Sequence, residues 1–151
     1  MLSCNILAWN VWSILNKEKL SNLLQIIEDK DIHIACLTET WFDAINGQFT
    51  AVIKEAGFKI VHDVRTDKQG GGTAILDKEK LKVKRGQASS SKYESFEFSY
   101  IFLKNDSSNI LLLCIYRKQE VLYKTFCEEL ELFLDGLPDT SELLIVGDFN
   151  V

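Results

Sequence analysis

A chain of 151 residues is about one domain of polypeptide, and its 46% hydrophobic content with a single proline excludes a disordered or low-complexity protein. The net charge of −5 excludes a protein held on nucleic acid by bulk positive charge, while allowing an acidic site with basic flanks. Cys4, Cys36, Cys114 and Cys127 lie in apolar runs with no CxxC pair, the pattern of reduced, packed thiols rather than a zinc site. No apolar run approaches the ~20 residues of a membrane span and no signal peptide opens the chain, so an intracellular protein, nuclear or cytoplasmic, is expected.

Cys4 to Trp9 reads as a short strand ending in Asn10. Asn16 is placed to cap a helix whose Leu20, Leu23, Leu24 and Ile27 form one apolar stripe. Ile32 to Leu37 gives a buried strand running into Thr38-Glu39-Thr40-Trp41-Phe42. Phe49, Val52, Ile53 and Ala56 predict a second helix with Gly57 after it, and Phe58 to Val61 a strand. The Gly70–Gly72 triplet then turns the chain into a strand at Thr73 to Leu76.

Leu81 to Arg85 alternates apolar and basic residues, as an exposed strand does. Phe96, Phe98, Tyr100 and Phe102 alternate with Glu97 and Ser99, and Asn105 to Asn109 supplies a hairpin turn. Ile110 to Ile115 is a continuous apolar strand leading to Tyr116 and Arg117. A helix from about Glu120 to Asp135 follows, stopped by Gly136 and Pro138. Leu143 to Val146 reads as a strand buried on both faces, ending in Gly147-Asp148-Phe149-Asn150. The sum is an α/β domain.

Polar residues recur where these strands end: Asn10, Glu39, Tyr116-Arg117, Asp148 and Asn150. In α/β sheets, ligands gather outside the carboxyl ends of strands. Carboxylate and amide oxygens at one sheet edge suit a hard cation such as Mg²⁺, which takes one or two carboxylates plus water and phosphate oxygens. Tyr116 and Arg117 could donate to a phosphate.

Leu-Ala-Trp-Asn-Val, Leu-Thr-Glu-Thr-Trp-Phe, Gly-Gly-Gly-Thr-Ala-Ile, Ile-Tyr-Arg and Gly-Asp-Phe-Asn, in this order, resemble the endonuclease/exonuclease/phosphatase superfamily. The stretch from Asn10 to Lys17, the Thr-Glu-Thr-Trp motif and the glycine triplet are most similar to the endonucleases of non-LTR (LINE) retrotransposons, which accompany a reverse transcriptase. The resemblance implies a four-layer α/β/β/α sandwich and a Mg²⁺- or Mn²⁺-dependent hydrolase that nicks DNA. Glu39 would be the metal ligand, with Asn10 positioning metal or phosphate. Tyr116 would contact the phosphate, Asp148 would orient or activate water, and Asn150 would hold phosphate and water. Arg117, and Arg65 and Lys68 beside the glycine triplet, would contact DNA.

Three departures accompany the resemblance. Trp12 stands where repair relatives carry Asp and many retroelement relatives Arg. Lys118 replaces a proline-containing turn. The second half of the family's domain, with a Ser-Asp-His tripeptide, has no counterpart in residues 1–151, and neither His33 nor His62 is placed to replace its histidine. The expectation is therefore a partial domain cut just after Gly-Asp-Phe-Asn, its second sheet largely missing and its activity lost without the missing C-terminal half. An apolar sheet face would be left uncovered and prone to self-association. The alternatives are a non-catalytic retroelement remnant and a phosphatase acting on small phosphoesters.

Overall fold

A computed structural model describes residues 3–43, 47–63, 70–89, 92–104, 109–137 and 142–151. In chain order the elements are β1 (Ile6–Asn10), α1 (Lys17–Asp29), β2 (Ile34–Thr38), α2 (Gly47–Glu55), β3 (Phe58–His62), β4 (Thr73–Lys78), β5 (Val83–Ser89), β6 (Phe96–Lys104), β7 (Asn109–Arg117), α3 (Tyr123–Asp135) and β8 (Glu142–Asp148). The predicted Asn16 cap is present, its side chain accepting the Lys19 N–H at 3.1 Å. The last helix begins three residues later than predicted, at Tyr123, and Leu122 before it supplies no side-chain cap. The predicted turn before Asn109 lies outside the described residues.

Two four-stranded sheets form, in the orders β1-β2-β4-β3 and β5-β6-β7-β8. Within them β1 and β2 run parallel, as do β7 and β8, and the remaining pairs are antiparallel. The sheets lie face to face, with β1 against β8, β2 against β7, β4 against β6 and β3 against β5. Ile34, Cys36, Val61 and Ile75 of the first sheet pack on Ile101, Leu112 and Cys114 of the second. Helices α1 and α2 cover the outer face of the first sheet through Leu20, Leu23, Ile27, Phe49 and Ile53. Helix α3 covers the second through Phe126 and Phe133, which meet Phe96, Phe98, Leu111 and Leu113.

The layers are thus α/β/β/α, which corrects the expectation that the second sheet is largely missing. Strands β5 to β8 build it, so every residue from Leu111 to Ile115 is buried, and among the described residues no broad uncovered sheet face results. The strand-by-strand pattern did not reveal which strands share a sheet. Strand β8, one of four outer strands with β1, β3 and β5, has no neighbour on one side among the described residues and is exposed over its first half. Leu143 and Leu144 are 45% and 39% exposed, against the expectation of burial on both faces. Cysteine packing is also half as predicted: Cys36 and Cys114 are buried, Cys4 and Cys127 exposed. A hydrogen bond with Cys36 and full burial push the Cys114 thiol well above its ordinary range, which keeps it inert. Among the described residues no helix is long and apolar enough to cross a membrane.

Candidate active site

The parallel pairs bring the carboxyl ends of four strands together. Asn10 ends β1, Thr38 ends β2 with Glu39 next to it, Tyr116 lies near the end of β7, and Asp148 ends β8. Asn10 pairs in register with Thr38, and Thr38 with Thr73; opposite them Glu97, Tyr116 and Asp148 form one rung of β6, β7 and β8. Residues on one rung point to one face of their sheet, so these two rungs meet across the sandwich.

Asn10 joins them. Its amide nitrogen donates to Asp148 Oδ2 at 2.7 Å and to Glu39 Oε1 at 3.4 Å, and its Oδ1 accepts the Trp12 N–H at 3.1 Å. Both N–H donors are engaged, so Asn10 bridges two carboxylates and holds them side by side, while its carbonyl oxygen, with one lone pair used by the Trp12 N–H, keeps a second. Tyr116 Oη donates to Glu39 Oε1 at 3.0 Å. Asp148 Oδ1 accepts the Asn150 N–H at 3.0 Å.

The backbone around these side chains is bent into unusual conformations. Trp12, Ser13, Glu39, Trp41 and Asn150 all have positive φ, and such residues cluster at functional sites because the strain must be held by surrounding structure. Here the loops hold one another. Val11, Ser13 and Ile14 donate to the carbonyls of Thr38, Glu39 and Thr40, and Thr40 and Trp41 donate to those of Gly72 and Gly71. Gly72 has φ +88°, and a Cβ there would stand 2.9 Å from Thr40 Oγ1, so this approach requires glycine.

Sequence reasoning missed Glu97. It is 0% exposed, between the sheets, and accepts the Gly72 N–H at 2.5 Å. One rung further in, Thr73 and Ser99 share a 2.7 Å hydroxyl hydrogen bond. Glu97 and Ser99 had read as the wet side of an alternating strand. They are instead the polar part of the inter-sheet layer, which changes from apolar to polar toward the site. The only signal was that this polar side lies beside motif residues.

Arg117 does not contact the front of the site. Successive strand residues point to opposite faces, so with Tyr116 inward Arg117 turns toward α3. It is 7% exposed, donates to the carbonyls of Asn150 and Val121 at 2.8 Å each, and stacks over Tyr123 and Phe126. The expected phosphate contact is replaced by a brace under the Asp148–Asn150 turn. Asn150 is tied there too, donating to the Arg117 carbonyl at 2.5 Å and accepting from Gln119 at 2.8 Å. Arg65 and Lys68 lie outside the described residues. His33 accepts the Asn5 N–H near the start of β1, far from the carboxylates, and His62 packs on Phe42, where burial lowers its basicity.

Among the described residues there is no group of three or more His, Cys, Asp and Glu side chains able to hold a metal ion. Glu39, with Asp148 held beside it, fits the sparser donor set of a hard cation that keeps water and takes substrate oxygens, and does not fit a closed zinc site.

A family model described as endonuclease/exonuclease/phosphatase matches residues 7–151. No curated protein matches significantly. Among solved structures, a family protein from Leptotrichia buccalis is 18% identical with a TM-score of 0.70, covering 99% of this chain and 67% of that one. The endonuclease domain of TRAS1, a telomere-specific non-LTR retrotransposon, is 15% identical with a TM-score of 0.67, covering 98% and 61%. A mannosyl-6-phosphatase from Bacteroides thetaiotaomicron is 15% identical with a TM-score of 0.65, covering 99% and 66%. The chain thus spans about two thirds or less of these structures' length. The fold, the convergence of Asn10, Glu39, Tyr116 and Asp148, and a family match over nearly the whole sequence agree: this chain belongs to the endonuclease/exonuclease/phosphatase family, whose members are generally divalent-metal-dependent.

Proposed function

We propose that this chain carries the metal-binding and phosphate-handling part of a phosphodiesterase domain that nicks DNA in the manner of a non-LTR retrotransposon endonuclease. The observation that carries the reading is the Asn10 amide holding Glu39 and Asp148 side by side, with the Tyr116 hydroxyl on the same Glu39 oxygen. The motifs resembling LINE endonucleases and the likeness to the TRAS1 domain favour DNA over other phosphodiesters. The reading includes the boundaries: residues 1–151 form part of a longer domain, which the partial coverage of related structures and the open side of β8 support.

Glu39 is the residue that would hold Mg²⁺ or Mn²⁺. When bound, such an ion polarises a phosphoryl oxygen and steadies the leaving oxyanion. Asp148 accepts one hydrogen bond on each oxygen, which fixes its orientation and leaves lone pairs to align and deprotonate an attacking water. Tyr116 would contact the phosphate by turning toward it the one hydroxyl proton that it now donates to Glu39 Oε1. Asn150 and Arg117 keep the Asp148 turn in place, and Asn10 keeps two carboxylates from drifting apart under their mutual repulsion.

The test has two parts. Mn²⁺ titration should show weak binding that Glu39→Gln reduces, and equal binding by the two proteins would sink the metal assignment. In a supercoiled-plasmid assay with Mg²⁺, the 151-residue chain should nick poorly, because a missing general acid/base costs roughly 10²–10⁴ in rate. Robust nicking abolished by Asp148→Ala would show that these residues suffice alone. A second reading, hydrolysis of a small phosphoester, draws on the likeness to a sugar phosphatase. Turnover of a sugar phosphate with no effect on plasmid would favour it.

A further inference from the structure

Trp12 is 69% exposed, with its backbone at φ +43°. A large aromatic side chain ordinarily gains by burial, and a bulky residue in the left-handed region is uncommon. Both costs are borne at one residue, two positions after the Asn10 bridge. The segment around it is fixed. Its N–H is held by Asn10 Oδ1 at 3.1 Å, its carbonyl accepts from Lys19 Nζ at 2.6 Å, and the next N–H, of Ser13, donates to the Glu39 carbonyl at 2.6 Å. Val11 and Ile14 on either side are buried. The indole therefore stands out from a rigid pedestal built by the residues that carry the carboxylates.

We propose that Trp12 is a substrate contact, its indole stacking on a base of the nucleic acid whose phosphate lies over Glu39 and Asp148. The proposal rests on the nucleic-acid reading above and adds the part of the substrate recognised. A chain of net charge −5 with two carboxylates at its site gains little from bulk attraction to a polyanion. Stacking on an aromatic ring supplies affinity that owes nothing to charge, tolerates any base, and is worth roughly 5- to 150-fold in binding per base. Lys19, anchored on the Trp12 backbone carbonyl, adds one positive charge to the same segment, suited to a flanking phosphate. The fixed backbone means that little ordering remains to be done when the base arrives.

The test compares the chain with Trp12→Ala and Trp12→Phe in Mg²⁺, by fluorescence anisotropy with two labelled 12-unit strands. One strand carries bases; the other has the same phosphodiester backbone with abasic sugars throughout. Trp12 is exposed, so neither substitution should disturb folding, and circular dichroism confirms this. Stacking predicts at least fivefold weaker binding of the base-bearing strand by Trp12→Ala, substantial recovery by Trp12→Phe, and equal binding of the abasic strand by all three. Glu39→Gln should weaken binding of both strands alike. If Trp12→Ala binds the base-bearing strand as the unaltered chain does while Glu39→Gln still weakens it, stacking is overturned and the nucleic-acid reading survives. If the unaltered chain binds neither strand, both fall.

Discussion

Glu97 shows how far the site depends on a residue that never reaches its front. Its carboxylate holds the Gly72 N–H, Gly71 and Gly72 hold the backbone of Thr40 and Trp41, and that backbone presents Glu39 at φ +55°. Removing a buried acceptor leaves the donor unsatisfied at a cost of about 1–3 kcal/mol, with a cavity added. Glu97→Ala should therefore destabilise the chain by about 2–4 kcal/mol in a denaturant titration and weaken Mn²⁺ binding at Glu39. Glu97→Gln, which keeps an acceptor oxygen, should recover much of both. Loss of stability with unchanged metal binding would confine Glu97 to the core. Asn10, Glu39, Tyr116 and Asp148 were legible in sequence because each follows an apolar run that ends where it stands. Glu97 was not, since Phe96-Glu97-Phe98-Ser99 has the local pattern of a half-wet strand, and only the facing sheet, brought from far along the chain, buries its polar side. Arg117 was misplaced for a related reason: the motif gave its position, and the alternation after Tyr116 gave the opposite face.

At the scale of elements, helices and most strands were legible because stripes, caps and apolar runs are local signals. The edge position of β8 was not, because strand order is set by long-range pairing. One long-range tether joins α3 to the segment before β6. Glu129 accepts the N–H groups of Glu94 and Ser95 at 3.0 and 2.8 Å, and also the Ser95 hydroxyl. Burial pushes its carboxyl upward, but these hydrogen bonds and the charge of Lys118 outweigh it and hold the group below its ordinary range. A carboxylate depressed in the folded state contributes stability that is fully present above its unfolded value, near 4.3, and is lost as pH falls through the folded value. Thermal melts from pH 6 to pH 3 should thus show a smaller acid-induced drop in Tm for Glu129→Gln than for the unaltered chain. Identical slopes would mean that the tether carries no linked protonation. Asp77 opposes this slope: it is buried, neither oxygen has a partner among the described residues, and burial raises its carboxyl despite Arg85 and Lys59. Its native form keeps the proton to higher pH, so its contribution declines as pH rises through that raised value. Asp77→Asn should then raise Tm at pH 7 more than at pH 3.

For the whole molecule, the two sheets close most of their own core, and of their four outer strands β8 carries two adjacent exposed leucines. Strand β8 pairs with β7 on one side and, among the described residues, with nothing on the other, while Leu143 and Leu144 expose apolar surface along it. An outer strand with free N–H and C=O groups and little charge is a template for pairing with another chain. At the other end of β8, Gly147 has φ +142° and a Cβ there would fall 1.9 Å from the Ile115 carbonyl oxygen, so this close pairing with β7, which brings Asp148 beside Tyr116, requires glycine. The 151-residue chain should therefore fold cooperatively yet self-associate through β8 as its concentration rises. Leu143→Lys places a charge at an already exposed position, where surface substitutions usually change stability by about 0.5 kcal/mol or less. It should shift sedimentation and light scattering toward the monomer while leaving Tm nearly unchanged. Charging one face of an internal sheet would instead cost several kcal/mol, so a collapse in Tm would place Leu143 in a core. Monomeric behaviour of the unaltered chain at every concentration would mean that the β8 edge is protected without a partner.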